Sequence, residues 1–156
     1  MADIVIVGVG NPYRCDDAAG WAVIEGLSGK VDNSIKLLKL RGDIAEILDL
    51  FTQYETVYLV DACLMKEGSW KRLDLLDTEI TDENPVTSTH GFSVSEAVAL
   101  AKALEQLPKK LILYAISGTA FQIGDKLTPS AAKSVKAVTD AILQEEDIRA
   151  CMNRVS

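Results

Sequence analysis

Short apolar runs rich in β-branched residues alternate along this chain with longer segments whose apolar residues recur every three or four positions. The first run, Ile4–Val7, reads as a buried strand because β-branched residues dominate it and turn formers close it. Gly8, Gly10, Asn11 and Pro12 then force a tight turn. Helical spacing follows from Asp16 to about Leu27, ending near Gly29, with Ala18, Trp21, Ala22, Val23, Ile24 and Leu27 on one face. A second strand is predicted over 35–40 and is broken by Arg41-Gly42. Asp43 with Glu46 forms a D-x-x-E capping pattern and starts a short helix carrying Ile44, Ile47, Leu48 and Leu50. The third strand, 56–60, runs straight into Asp61.

Further along, segment 70–76 alternates Leu73 and Leu75 with Asp74 and reads as an antiparallel edge strand. Residues 77–90, acidic and then rich in Thr and Ser around Pro85, read as a loop. Ser93 with Glu96 is a second capping box, opening a helix through Val98, Leu100, Ala101 and Leu104 that Pro108 and two lysines close. A buried strand over 111–116 ends at Gly118. Thr128-Pro129 is an N-cap with proline at the first helical position, and the last helix runs from there to about Glu146. Ala131, Val135, Val138 and Ile142 share one face of it, and the tail after Asp147 is expected to be loosely held.

Strands alternating with helices predict an α/β three-layer sandwich: a twisted, mostly parallel five-stranded sheet with one antiparallel edge strand and helices on both faces. With 156 residues and no repeat or linker, the whole chain, 1–156, is expected to be one domain. In such sheets ligands bind outside the carboxyl ends of the strands, where the strand order reverses. That rule puts the Gly8–Asp17 loop and Asp61 on one rim, and His90, which precedes a helix start, is expected to hang over it.

Composition narrows the partners. A net charge of −7 argues against nucleic acid or an anionic membrane, since both reward a basic face. No basic-then-apolar leader and no apolar run near the ~20 residues of a bilayer span is present, so a cytoplasmic location is expected. Cys15, Cys63 and Cys151, without a C-x-x-C pair, fit a reducing compartment and read as small packing residues, although Cys15 and Cys63 lie beside candidate functional residues.

Two adjacent carboxylates, Asp16 and Asp17, fall where the first helix begins. One can cap free N–H groups and both suit the positive end of the dipole. Neighbouring carboxylates point in different directions, however, and only one is needed for the cap, so Asp17 is the functional candidate. Asp17, Asp61 and His90, the sole histidine, form a mixed oxygen and nitrogen set suited to a borderline divalent ion such as nickel or zinc, with open positions left. Their spacing is too long for a short zinc motif, so geometry must bring them together. A dinucleotide site is disfavoured: Tyr13 stands where the third fingerprint glycine belongs, Leu40 and Arg41 where the ribose acid belongs, and two aspartates would repel a pyrophosphate. A plain α/β domain with structural acids would leave no reason for His90 to sit by Asp17 and Asp61.

The blocks GVGNPYRCDDAAGWAV, VYLVDAC and STHGFSVSEAVALAKAL, in that order and followed by LTPSAAKSV, resemble the hydrogenase maturation proteases, nickel-dependent endopeptidases that trim the large subunit of nickel–iron hydrogenases. The first block is the specific one. The resemblance implies an aspartyl-type endopeptidase that removes the C-terminal extension of a nickel-loaded large-subunit precursor. It assigns the metal contacts, and with them catalysis, to Asp17, Asp61 and His90. The nickel would be carried by the substrate, with zinc or cadmium able to replace it in crystals, and the enzyme would be a cytoplasmic monomer. A nickel-polarised carbonyl or a carboxylate-activated water would do the hydrolysis. The chain departs from the family in lacking the Asp-Gly-Gly turn after the second strand; Asp43 is the candidate substitute, the alternative being that the role is absent. A non-enzymatic nickel-sensing or chaperone module on the same fold would use the same three residues.

Overall fold

A computed structural model describes residues 3–77 and 94–152. Strands β1 (Ile4–Val9), β2 (Lys36–Leu40), β3 (Thr56–Cys63), β4 (Trp70–Asp74) and β5 (Lys110–Ser117) form one sheet in the order β2-β1-β3-β5-β4. The pairs β1–β2, β1–β3 and β3–β5 are parallel, and β4 runs antiparallel to β5 at the edge. This is the sheet expected from the sequence. Because β1 has β2 on one side and β3 on the other, the order reverses between β1 and β3, the point at whose carboxyl end open α/β sheets bind their ligands.

Both faces of the sheet are covered. Ile4, Ile6, Tyr58, Val60, Ala62, Ile112, Tyr114 and Ile116 pack against α1 (Ala19–Leu27), α4 (Pro129–Leu143) and α5 (Glu146–Met152). On the other face Val5, Val7, Val9, Val57, Leu59, Leu111 and Leu113 meet α2 (Ile44–Gln53) and α3 (Val94–Ala103). Each large apolar side chain buried this way contributes about 1.5–3 kcal/mol. The near-continuous apolar runs in β1, β3 and β5 follow from burial on both faces.

Three expectations are corrected. Residues 148–152 of the tail are not loosely held: Glu146–Met152 forms α5, with Ile148 and Cys151 buried one helical turn apart, and 153–156 lie outside the described residues. Gln144 ends α4, so the last helical segment is two helices rather than one. On α3, Ala97 and Ala101 face the core while Leu100 and Leu104 are exposed, a narrower buried stripe than the spacing suggested. Ser93 and the loop from residue 78 onward lie outside the described residues. Among the described residues no helix is long and apolar enough to cross a membrane.

Polar clamps tie α5 and the end of α4 to the sheet. Tyr58 donates its hydroxyl to Asp147 (2.5 Å), and Lys110 Nζ reaches both Asp147 (3.0 Å) and the Tyr58 hydroxyl (3.0 Å). Arg72 on the edge strand grips Glu145 with two N–H groups (2.7 and 3.1 Å), and Tyr114 donates to the same carboxylate. Burial pushes the Glu145 carboxyl upward, but the hydrogen bonds from Arg72 and Tyr114 outweigh it and hold it below the usual range. A carboxyl more acidic in the folded than in the unfolded chain adds stability above its unfolded pKa of 4.5 and loses it as the pH falls through the folded value.

Glu145→Gln is therefore expected to lower stability at pH 7 by about 1 kcal/mol, the exposure of Arg72 keeping the figure small. In urea titrations the gap between wild type and variant should narrow progressively below about pH 4.

Candidate active site

Asp17 and Asp61 stand at the carboxyl ends of β1 and β3, on either side of the point where the strand order reverses. β1 ends at Val9, opposite Asp61 in the register, and the chain then turns through Gly10–Arg14 into a 3-10 turn, Cys15–Ala18, that leads into α1. Glycine allows the two close approaches that seat this turn. A Cβ on Gly10 would lie 2.0 Å from the Asp17 carbonyl oxygen, and one on Gly20 would lie 2.4 Å from that of Val60 and 2.8 Å from that of Val9. The start of α1 thus rests directly on the ends of β1 and β3.

The two aspartates of the turn diverge, as the sequence suggested, but neither caps the 3-10 turn or α1; Asp16 bonds residues more than a hundred positions away instead. Its Oδ2 accepts from the backbone N–H groups of Thr119 (2.9 Å) and Ala120 (3.1 Å), and its Oδ1 from that of Thr128 (2.8 Å). The Thr128 hydroxyl adds a further bond at 2.9 Å while also capping α4. The carboxylate is wholly buried, which pushes its pKa up, but these bonds outweigh burial and hold it below the ordinary aspartate value.

Around it the loop after β5 locks onto the turn. Cys15 N–H donates to Gly124 O (3.0 Å), Asp16 N–H to Ala120 O (2.9 Å), Gly124 N–H to Tyr13 O (2.8 Å) and Arg14 Nε to Phe121 O (3.1 Å). Since β1 and β5 flank β3, these bonds join two loops across the carboxyl end of β3. Cys15 is held at φ 47°, a left-handed conformation that non-glycine residues adopt only where surrounding contacts impose it.

Asp17 is directed inward instead. It is 1% exposed, and its Oδ2 accepts from the Asn11 N–H at 3.2 Å, which aims the carboxylate back toward the end of β1. Asp61 is fully buried in β3 between Val9 and Ala115. Alternation along β3 puts it on the side of Leu59 and Cys63, the face covered by α2 and α3. His90 lies outside the described residues, four positions before α3 begins on that face. Among the described residues no group of three or more His, Cys, Asp or Glu side chains could hold a metal ion.

The remaining candidates take structural roles. Asp43 caps α2, accepting from the Ala45 N–H at 2.9 Å. Cys15 packs against Gly124, and Cys151 lies buried in α5. Burial pushes the Cys63 thiol above its ordinary range and the charge of Asp61 pushes the same way; the side chain is 1% exposed and packs in the cluster under α2 and α3. The sequence reading missed the 118–128 loop as part of the site. Its one local signal was Thr128, a capping residue whose hydroxyl is also placed to serve a second partner.

The sequence profile of the family described as hydrogenase maturation protease matches residues 23–145. Among curated proteins no sequence matches the chain. Solved structures share its fold. The hydrogenase maturating endopeptidase HybD from Escherichia coli superimposes with a TM-score of 0.71 at 21% identity, over 92% of this chain and 90% of that one. The NiFe hydrogenase maturation protease HybD from Thermococcus kodakarensis gives 0.69 at 18% identity, over 91% and 97%. An endopeptidase from Escherichia coli solved in solution gives 0.76 at 21% identity, over 92% and 90%.

The neighbouring aspartates are expected to separate cleanly on substitution. Asp16→Asn leaves one oxygen for donors arriving at both, turns an NH₂ group toward a buried N–H, and should cost about 3 kcal/mol in urea unfolding. Asp17→Asn keeps an oxygen to accept from the Asn11 N–H and should cost less than Asp16→Asn, about 1 kcal/mol, in the same titration.

Proposed function

The chain belongs to the hydrogenase maturation proteases and is a peptidase, and from that premise we propose that it removes the C-terminal extension of a nickel-loaded hydrogenase large-subunit precursor, reading the nickel through Asp17, Asp61 and His90. The observation that carries the reading is the placement of two buried carboxylates at the ends of β1 and β3, on either side of the strand-order reversal. Open α/β sheets bind their ligands at that point.

Each residue has a stated part. Asp17 and Asp61 offer hard oxygen donors and His90 an imidazole nitrogen, a set that matches a borderline divalent ion and leaves positions for ligands the precursor brings. Because the ion is cargo of the substrate, the enzyme needs only enough affinity to recognise it in place. Low exposure of both carboxylates strengthens their attraction to an arriving cation. Asp17 is further oriented by the Asn11 N–H, which fixes the direction its carboxylate faces. Hydrolysis then proceeds at the peptide beside the ion, with a carboxylate-activated water or a metal-polarised carbonyl as its chemistry. We place the enzyme, as a monomer, in the cytoplasm beside its precursor.

Incubation with nickel-loaded precursor should give a shortened large subunit, and the metal-free precursor should stay intact. Asp17→Asn, Asp61→Asn and His90→Ala should each reduce processing at least about a hundredfold, the scale of losing a group that acts at the reacting centre. Full processing by these three variants, or a stable complex without a shortened product, would overturn the assignment.

A further inference from the structure

Three loops at the carboxyl end of the sheet carry large apolar side chains exposed to solvent. Tyr13, in the loop after β1, is 65% exposed; Leu64, directly after β3, is 58% exposed; and Ile123, in the loop after β5, is 87% exposed. Scattered surface hydrophobes need no explanation, but these share one rim with Asp17 and Asp61.

The loops that carry Tyr13 and Ile123 are also tied to each other by hydrogen bonds. Tyr13 and Ile123 sit on opposite sides of the loop pairing: Gly124 N–H donates to Tyr13 O at 2.8 Å, and Arg14 and Gly124 form a bridge. Asp16 anchors both loops from below through Thr119, Ala120 and Thr128. The Tyr13 N–H is tied to the Asn11 side chain at 2.9 Å. The Arg41 guanidinium lies 5.6 Å from the Tyr13 ring centroid and 5.5 Å from that of Trp21, backing the tyrosine from one side. An aromatic and a branched aliphatic side chain presented on a fixed support lose little entropy on binding, which is how the anchor residues of protein interfaces act.

Resting on the functional reading above, we propose that Tyr13, Leu64 and Ile123 form the docking surface for the folded body of the precursor, contacting an apolar patch beside its metal site. The occupant follows from position. Tyr13 lies four residues before Asp17 and Leu64 three after Asp61, so a protein that delivers an ion to those carboxylates comes to rest against this rim. The division of labour is also chemical: the buried acids recognise the ion, and the exposed apolar groups supply affinity for the protein that carries it. Specificity between precursors then resides partly in this rim, apart from the scissile peptide.

The test is steady-state processing of nickel-loaded, full-length precursor by wild type, Tyr13→Ser/Ile123→Ser and Leu64→Ser, with the melting temperature of each variant measured in parallel. Exposed positions should leave melting unchanged. KM should rise about tenfold or more in the double variant while kcat stays within about twofold, and Tyr13→Phe should retain the wild-type KM because the contact is apolar. Wild-type processing with an unchanged KM in both serine variants would overturn the docking surface while leaving the peptidase assignment intact. Absence of wild-type processing would overturn the functional reading, and the docking surface with it. A wild-type dimer in sedimentation that Tyr13→Ser/Ile123→Ser converts to monomer, without change in KM, would assign the rim to self-association and overturn the proposal.

Discussion

Asp16 accepts hydrogen bonds from backbone groups 103 to 112 residues further along the chain, and the shape of the whole carboxyl-end rim follows from that one carboxylate. It joins the turn after β1 to the loop after β5 and to the first turn of α4. A neutral side chain could not serve two oxygens' worth of N–H donors in a buried position. A charged one can, because the donors compensate the loss of water. With the turn fixed, the next residue has no freedom to choose its direction. Asp17 faces the end of β1, and Asp61 stands beside that end in β3. Two adjacent aspartates thereby divide the work: one builds the support, the other is presented by it.

Much of this was legible in the sequence because it depends on local chemistry. Short apolar runs gave the four parallel strands, the first of them rich in β-branched residues, and the alternation of Leu73, Asp74 and Leu75 gave the antiparallel edge. Asp43 and Thr128 announced two helix starts and do cap them. The carboxyl-end rule was enough to bring Asp17 and Asp61 to one rim. What was not legible depends on partners far away in the chain. Ile148 and Cys151 look unremarkable in an otherwise polar tail, and only the sheet face beneath them makes that segment a helix. Leu100 and Leu104 fit a helical stripe, yet it is Ala97 and Ala101 that are buried, in the cluster α3 shares with α2 and the sheet. The ties from Asp16 to Thr119, Ala120 and Thr128 have no short-range pattern at all.

The rim that results combines two unlike surfaces. Beneath are carboxylates with almost no exposure, suited to recognising a cation that arrives already bound. Above are exposed apolar side chains on loops made stiff by hydrogen bonds. A peptidase that acted on any extended chain would need neither. Together they fit the proposal of an enzyme that docks a folded, metal-loaded protein before cutting it; the family itself, the hydrogenase maturation proteases, makes the chain a peptidase. The three cysteines, two of which lie close to this rim, are free and buried.

The central claim, that the carboxylates at the ends of β1 and β3 contact the nickel of the precursor, is open to X-ray absorption at the nickel K-edge. The sample would be a nickel-loaded precursor made uncleavable at its scissile bond, measured alone and mixed with this protein. Added oxygen or nitrogen scatterers in the nickel shell of the mixture, absent when Asp17→Asn/Asp61→Asn protein is used, are the predicted result. A nickel shell that is the same with and without wild-type protein, under conditions where the two proteins co-sediment, would contradict it.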